Sequence, residues 1–161
     1  MDRPELLAIT IVLMLVLLAL LPLGWRARMR RQRDLAAPLA APADLGEPIG
    51  TFDGKYVATT TAGDPLDRVA VRGLGFRSNA SLTVTAEGLL VQRPGADDFW
   101  IPRTQLGAVR QATWTIDRVV EPGGLDLVEW TLGDRKIDSY FRMADPVAFE
   151  TAMARLERTA A

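Results

Sequence analysis

The sequence predicts a mainly β domain of about seven antiparallel strands closed by a C-terminal helix, carried behind one apolar helix. Three observations predict it. The chain holds twenty consecutive uncharged residues, Leu6 to Trp25, close to its start. From Lys55 to Arg142 it breaks into short β-type runs separated by Gly, Pro and Asp turns. After Asp145 the apolar spacing changes from a period of two to one of about 3.6.

The opening run reads LLAITIVLMLVLLALLPLGW. As a helix it spans about 30 Å, one bilayer core. Pro22 and Gly24 sit at its end, where a helix stops at little cost, and Trp25 falls at interface depth. A cleaved signal peptide would show a basic start, a shorter apolar run and a small-residue cleavage site. This chain starts Met-Asp-Arg-Pro-Glu and follows the run with Arg26, Arg28, Arg30, Arg31 and Arg33. We therefore expect residues 1–33 to be a retained single-pass anchor spanning 6–25. Basic residues flanking a span stay on the cytoplasmic side. The N-terminus is expected outside a plasma membrane and the domain inside, with the five arginines also placed to meet an anionic leaflet.

Residues 34–54, with Pro38, Pro42, Pro48 and many Ala, show no sustained period and read as a linker. Its reach is about 25 Å as a random coil and about 60 Å in polyproline II. The domain is then residues 55–161. Lys55–Thr61 is a β-branched run ending in the turn Ala62-Gly-Asp-Pro65. Arg68-Val-Ala-Val-Arg72 alternates as a strand, and Gly73-Leu-Gly-Phe-Arg77 suggests a bulge or kink. Ser81–Thr85 and Leu89–Arg93 flank Ala86-Glu-Gly88, a hairpin signal. Further strands begin at Phe99 and Ala112, and Gly133-Asp134 joins two more, Leu125–Leu132 and Lys136–Arg142. Asp145 reads as an N-cap with Pro146 at the first helical position. Val147, Phe149, Met153 and Leu156 share a broad apolar face.

Seven strands and one capping helix resemble a pleckstrin-homology (PH) barrel. The residues are also similar to a narrower family, small single-pass membrane proteins of actinobacteria with a PH-like domain, some described only as probable export, membrane or transporter proteins. The stretches that carry the resemblance are Tyr56-Val-Ala-Thr-Thr60, Ala62-Gly-Asp-Pro-Leu-Asp-Arg68, Gly73-Leu-Gly-Phe-Arg77, Ile101-Pro102, Ala112-Thr-Trp-Thr-Ile-Asp-Arg118, Gly123-Gly-Leu125 and Asp138-Ser-Tyr140. The resemblance implies a PH-like fold and a membrane location. It implies no activity, cofactor or catalytic residue.

Composition narrows the function classes. The chain has 19 Lys and Arg against 20 Asp and Glu, net -1, with no His and no Cys. Disulfides, thiolate or imidazole metal sites and Ser-His or Cys-His catalysis are excluded. The charge is split: residues 1–33 carry six Arg against Asp2 and Glu5, and the remainder is net negative. An acidic domain argues against nucleic-acid binding, which needs a phosphate-neutralising surface. The doublet Asp97-Asp98 has no partner type that would support acid–base chemistry and reads as a turn. We expect no enzyme activity and no cofactor.

Two sets of residues remain as candidates. Lys55, Arg68, Arg72 and Arg77 lie around the first strands, where converging cations would hold a phosphate; the alternative is a salt-bridged outer strand face. Arg68 and Arg72, four apart, would share a face of a regular strand. Trp114 and Arg118 would either dock a partner or divide between core and surface. The expected role is a membrane-anchored adaptor or accessory subunit that binds a protein partner. The alternatives are an anionic lipid-headgroup reader and an accessory part of an export or transport system.

Overall fold

The computed structural model describes residues 3–112, 114–115, 118–119 and 124–158. It divides into two units, Met1–Asp34 and Leu35–Ala161. The first is one helix, α1 (Arg3–Arg31), none of whose residues is buried. By length and composition it can cross a membrane. The helix does not stop near Pro22 as expected but continues through it to Arg31. Pro22 removes only one main-chain donor. The following Arg-Ala-Arg-Met-Arg-Arg stretch is made of good helix formers, and its cations complement the C-terminal end of the helix dipole.

The second unit is the expected β domain. Its strands are β1 (Pro48–Thr61), β2 (Asp64–Arg68), β3 (Ser78–Thr85), β4 (Gly88–Gln92), β5 (Phe99–Pro102), β6 (Leu106–Ala112), β7 (Trp114–Thr115), β8 (Arg118–Val119), β9 (Leu125–Leu132) and β10 (Arg135–Met143). They run in the order β5-β4-β3-β1-β10-β9-β6, with β2 paired to β1, and β7 and β8 forming a separate pair. All the pairings are antiparallel. Strand β1 serves both halves of the ladder. It faces β3 from Pro48 to Tyr56 and β10 from Gly54 to Thr61. Gly54 lies in the shared stretch, where a Cβ would come within 2.7 Å of the Arg142 carbonyl oxygen.

The hairpins at 86–87 and 133–134 form where expected. Three expectations change. Strand β1 starts at Pro48, so part of the 34–54 linker is sheet, pairing with β3. Upstream of it, Leu35 is buried and the Leu39 carbonyl accepts the Trp100 N–H. The strand expected at 68–72 is displaced: β2 ends at Arg68. Val69, Ala70 and Val71 are all buried, which an alternating strand with one wet face does not do. Strand β6 went unpredicted because most of its side chains are exposed or half-buried, leaving no alternation to read.

Helix α2 (Pro146–Arg158) closes the barrel, burying Phe149, Ala152, Met153 and Leu156. The Asp145 carboxylate accepts the Ala148 N–H at 3.0 Å, the predicted cap. Phe149 meets Phe52 edge-on at 5.8 Å between ring centroids. Val147, expected on the apolar face, is instead 70% exposed. Deeper in the core, Phe99 stacks on Trp130, and Tyr56 lies edge-on to Phe141.

Candidate docking surface

The four cations near the first strands are not one cluster. Lys55 is exposed on β1, with Arg142 opposite it on β10 and Asn79 opposite it on β3. Arg77 is exposed in the residue before β3. Arg68 and Arg72 are turned to the main chain. Arg68 Nη2 donates to the Val57 carbonyl at 3.3 Å, and Arg72 Nε donates to the Leu35 carbonyl at 3.2 Å. They share no strand face, because the chain leaves the sheet after Arg68. Arg72 also sits in the left-handed region at φ 57, a conformation uncommon for a residue with a Cβ.

The loop that carries Arg72 continues through Gly73, Leu74 and Gly75 to Phe76. It is held from beneath. Leu74 is fully buried, its N–H donates to the Val71 carbonyl, and its own carbonyl accepts the Tyr56 hydroxyl at 2.8 Å. Gly75 passes so close to Ala70 that a Cβ would lie 2.9 Å from the Ala70 carbonyl oxygen. Arg93 Nη1 donates to the Gly73 carbonyl at 2.7 Å. On this fixed loop Phe76 is 72% exposed. Leu66, on β2, is 65% exposed.

Arg93 is a buried cation, only 2% exposed. Its guanidinium lies 5.1 Å from the Tyr56 ring centroid and 4.9 Å from that of Phe99. Nε and Nη2 both donate to the Asp97 carbonyl, while its N–H donates to the Asp98 carboxylate. The doublet Asp97-Asp98 is therefore a holder for Arg93.

Tyr56 heads a buried chain of hydrogen bonds whose direction follows from proton counting. Its one hydroxyl proton goes to the Leu74 carbonyl. Thr59 must then donate to Tyr56 at 2.7 Å, Ser139 to Thr59 at 2.7 Å, and the Trp130 indole N–H to Ser139 at 2.9 Å. Burial pushes the Tyr56 phenol up to about 12, although its hydrogen bond to Thr59 opposes the shift. The chain is closed at both ends and holds the loop in place.

A groove of about 520 Å³ is lined by Asp53, Asn79, Ser81, Gln92, Arg93 and Asp98 among others. Two carboxylates and a guanidinium already bonded to main-chain carbonyls make it unsuited to a phosphate. Two further carboxylates are buried. Desolvation raises Asp126 to about 6, with the Met143 N–H opposing and Glu150 adding to the rise. Asp138 is also raised, first by burial, while the Gly63 N–H bonds one of its oxygens. Among the described residues, no group of three or more His, Cys, Asp and Glu is arranged to hold a metal.

Arg26, Arg28, Arg30 and Arg31 lie in the last turns of α1 and Arg33 just beyond it. The side chains of Trp114 and Arg118 lie outside the described residues; their backbone pairs β7 with β8. The sequence reading missed Phe76. The signal was there: a bulky aromatic flanked by Gly73, Gly75 and Arg77 belongs to a turn, where nothing covers it.

Two comparisons bear on this arrangement. Residues 35–157 match the family described as bacterial PH domain-like. No curated protein matches the chain.

Proposed function

We propose that this chain, which belongs to the bacterial PH domain-like family, is a membrane-anchored interaction module whose barrel docks a protein partner at the cytoplasmic face of the plasma membrane. The observation that carries the reading is Phe76, 72% exposed on a loop tied down at Gly73, Leu74 and Gly75. A large apolar ring on a fixed support loses little conformational freedom when it is covered. Exposed Arg77 beside it completes a pairing that suits an interface centre, where aromatic residues and arginine are enriched. Helix α1 supplies residence in the membrane, and the arginines after Trp25 support an inward-facing domain.

The second reading, an anionic headgroup reader, draws on exposed Lys55 opposite Arg142, with Arg77 close in sequence to Asn79, the other partner of Lys55. It is the weaker of the two, because Arg68 and Arg72 point their guanidinium groups at main-chain carbonyls.

One experiment separates them. The chain has no cysteine, so Asn79→Cys, exposed three residues beyond Phe76, and Val147→Cys each accept a single photo-crosslinker in full-length protein in native membranes. The proposal expects one recurring protein adduct from position 79 and none from position 147, abolished by Phe76→Ala. Adducts to anionic lipid alone would favour the headgroup reading. Identical adducts from both positions would overturn docking at this loop. An impermeant thiol reagent on intact cells tests the orientation: a cysteine at position 79 is expected to stay unlabelled.

A further inference from the structure

The barrel carries a hole as well as a knob. A groove of about 180 Å³ is lined by Leu106 and Gly107 of β6, by Met153, Leu156 and Glu157 of α2, and by Arg103 from the turn ahead of β6. Met153 and Leu156 are each 2% exposed and so form its inner wall. Gly107 and Glu157 are exposed and stand at its mouth. Apolar space of about 150 Å³ is enough to take a benzene ring, so the groove has room for one phenyl side chain. Its chemistry suits such a ring. Methionine sulfur makes favourable contacts with an aromatic edge, and a guanidinium such as that of Arg103 is drawn to an aromatic face. Glu157 adds a carboxylate, which suits a cation next to the ring. The groove therefore calls for an aromatic side chain with a cation beside it. This chain presents that pair itself, in Phe76, 72% exposed, and in exposed Arg77. Phe76 does not line the groove of its own chain, and its loop is tied down.

We infer that the protein docked by Phe76 is a second copy of this chain, whose groove at β6 and α2 takes the ring while its Glu157 faces Arg77. Arg77 contributes its charge and keeps its bonding within its own chain. Knob and hole differ, so the contact is head to tail and repeats into rings or open rows. A phenylalanine buries about 150–250 Å², against about 1,000 Å² for an interface that is stable in solution. The contact therefore forms between copies confined to one membrane, where confinement raises their effective concentration, and not between barrels free in solution. This identity of the partner rests on docking at Phe76 and on α1 as an anchor.

The test uses the purified full-length chain in liposomes of neutral lipid, which offer no anionic headgroup. Asn79→Cys puts a single thiol near Phe76, and Arg158→Cys puts one next to Glu157; both positions are exposed. A short thiol-to-thiol cross-linker is expected to join the two versions when they are mixed, and to give about tenfold less dimer with either version alone, because a head-to-tail contact never brings like positions together. Phe76→Ala in the Asn79→Cys chain is expected to lower the mixed yield about tenfold, as loss of an interface anchor does. Glu157→Arg in the Arg158→Cys chain is expected to lower it as well, from the opposite side of the contact. A mixed yield no higher than that of either version alone would overturn the inference, and so would a yield that Phe76→Ala leaves unmoved. Capture of a different protein at position 79 in native membranes, with no mixed cross-link in liposomes, would overturn the second copy and leave docking at Phe76 standing. No protein captured at position 79 and no mixed cross-link would overturn both.

Discussion

Arg93 shows how much one side chain can organise. Three nitrogens of its guanidinium donate to main-chain carbonyls, and its plane lies near two aromatic rings. A lysine keeps the charge but not the planar fork. We therefore expect Arg93→Lys to lose about 2–4 kcal/mol of stability by urea unfolding, and to loosen the Phe76 loop by leaving the Gly73 carbonyl unbonded. Asp126 makes a different prediction. Its folded carboxyl titrates at about 6 because burial disfavours the charge, whereas in the unfolded chain it titrates near 3.9. The folded state thus binds the proton more tightly. The favourable contribution is complete below about pH 4 and is lost as pH rises through about 6. Asp126→Asn cannot ionise, so it should be more stable than the parent at pH 8, by about 1–3 kcal/mol, with the advantage gone at pH 4. Urea midpoints at the two pH values check this; an advantage independent of pH would refute it.

Among the elements, β1 carries the architecture, because it supplies one edge to β3 and the other to β10. Gly54 is where it has no room for a side chain: a Cβ would meet the Arg142 carbonyl oxygen at 2.7 Å and the Met143 Cα at 3.0 Å, both main-chain atoms that cannot step aside. Gly54→Ala is expected to cost about 1–3 kcal/mol, read as a lowered melting temperature, with the sheet content by circular dichroism kept. What the sequence disclosed follows the same physics. Elements announced by local chemistry were legible: the Gly88 and Gly133 hairpins, the Asp145 cap and the strand at Leu125–Leu132. Elements decided by distant contacts were not. Arg68-Val-Ala-Val-Arg72 has the alternation of a strand, yet it wraps inward because Val69, Ala70 and Val71 all find cover. Leu35 and Leu39, in an Ala/Pro stretch, give no local hint that the one is buried and the other bridges Trp100 on β5. Of the candidate cations, which the sequence offered as one set, Lys55 and Arg77 are exposed, while Arg68 and Arg72 bond to carbonyls that no sequence spacing reveals.

For the whole molecule, the two units differ in charge and covering. One is a helix with basic residues at its end and no buried residue, and the other is a net-acidic barrel with a closed core. The family match begins at residue 35, where the second unit begins. The rung that Leu39 lays on β5 has one more consequence. Phe99-Trp-Ile101 is a short apolar strand at the end of the ladder, and an uncovered strand margin of this kind recruits other chains. A soluble fragment cut at Pro48 should therefore self-associate, whereas one cut at Leu35 should stay monodisperse, as light scattering would reveal. On this expectation the stretch ahead of β1 keeps the β5 margin of the barrel from sticking to its own kind, and light scattering of the two fragments decides it.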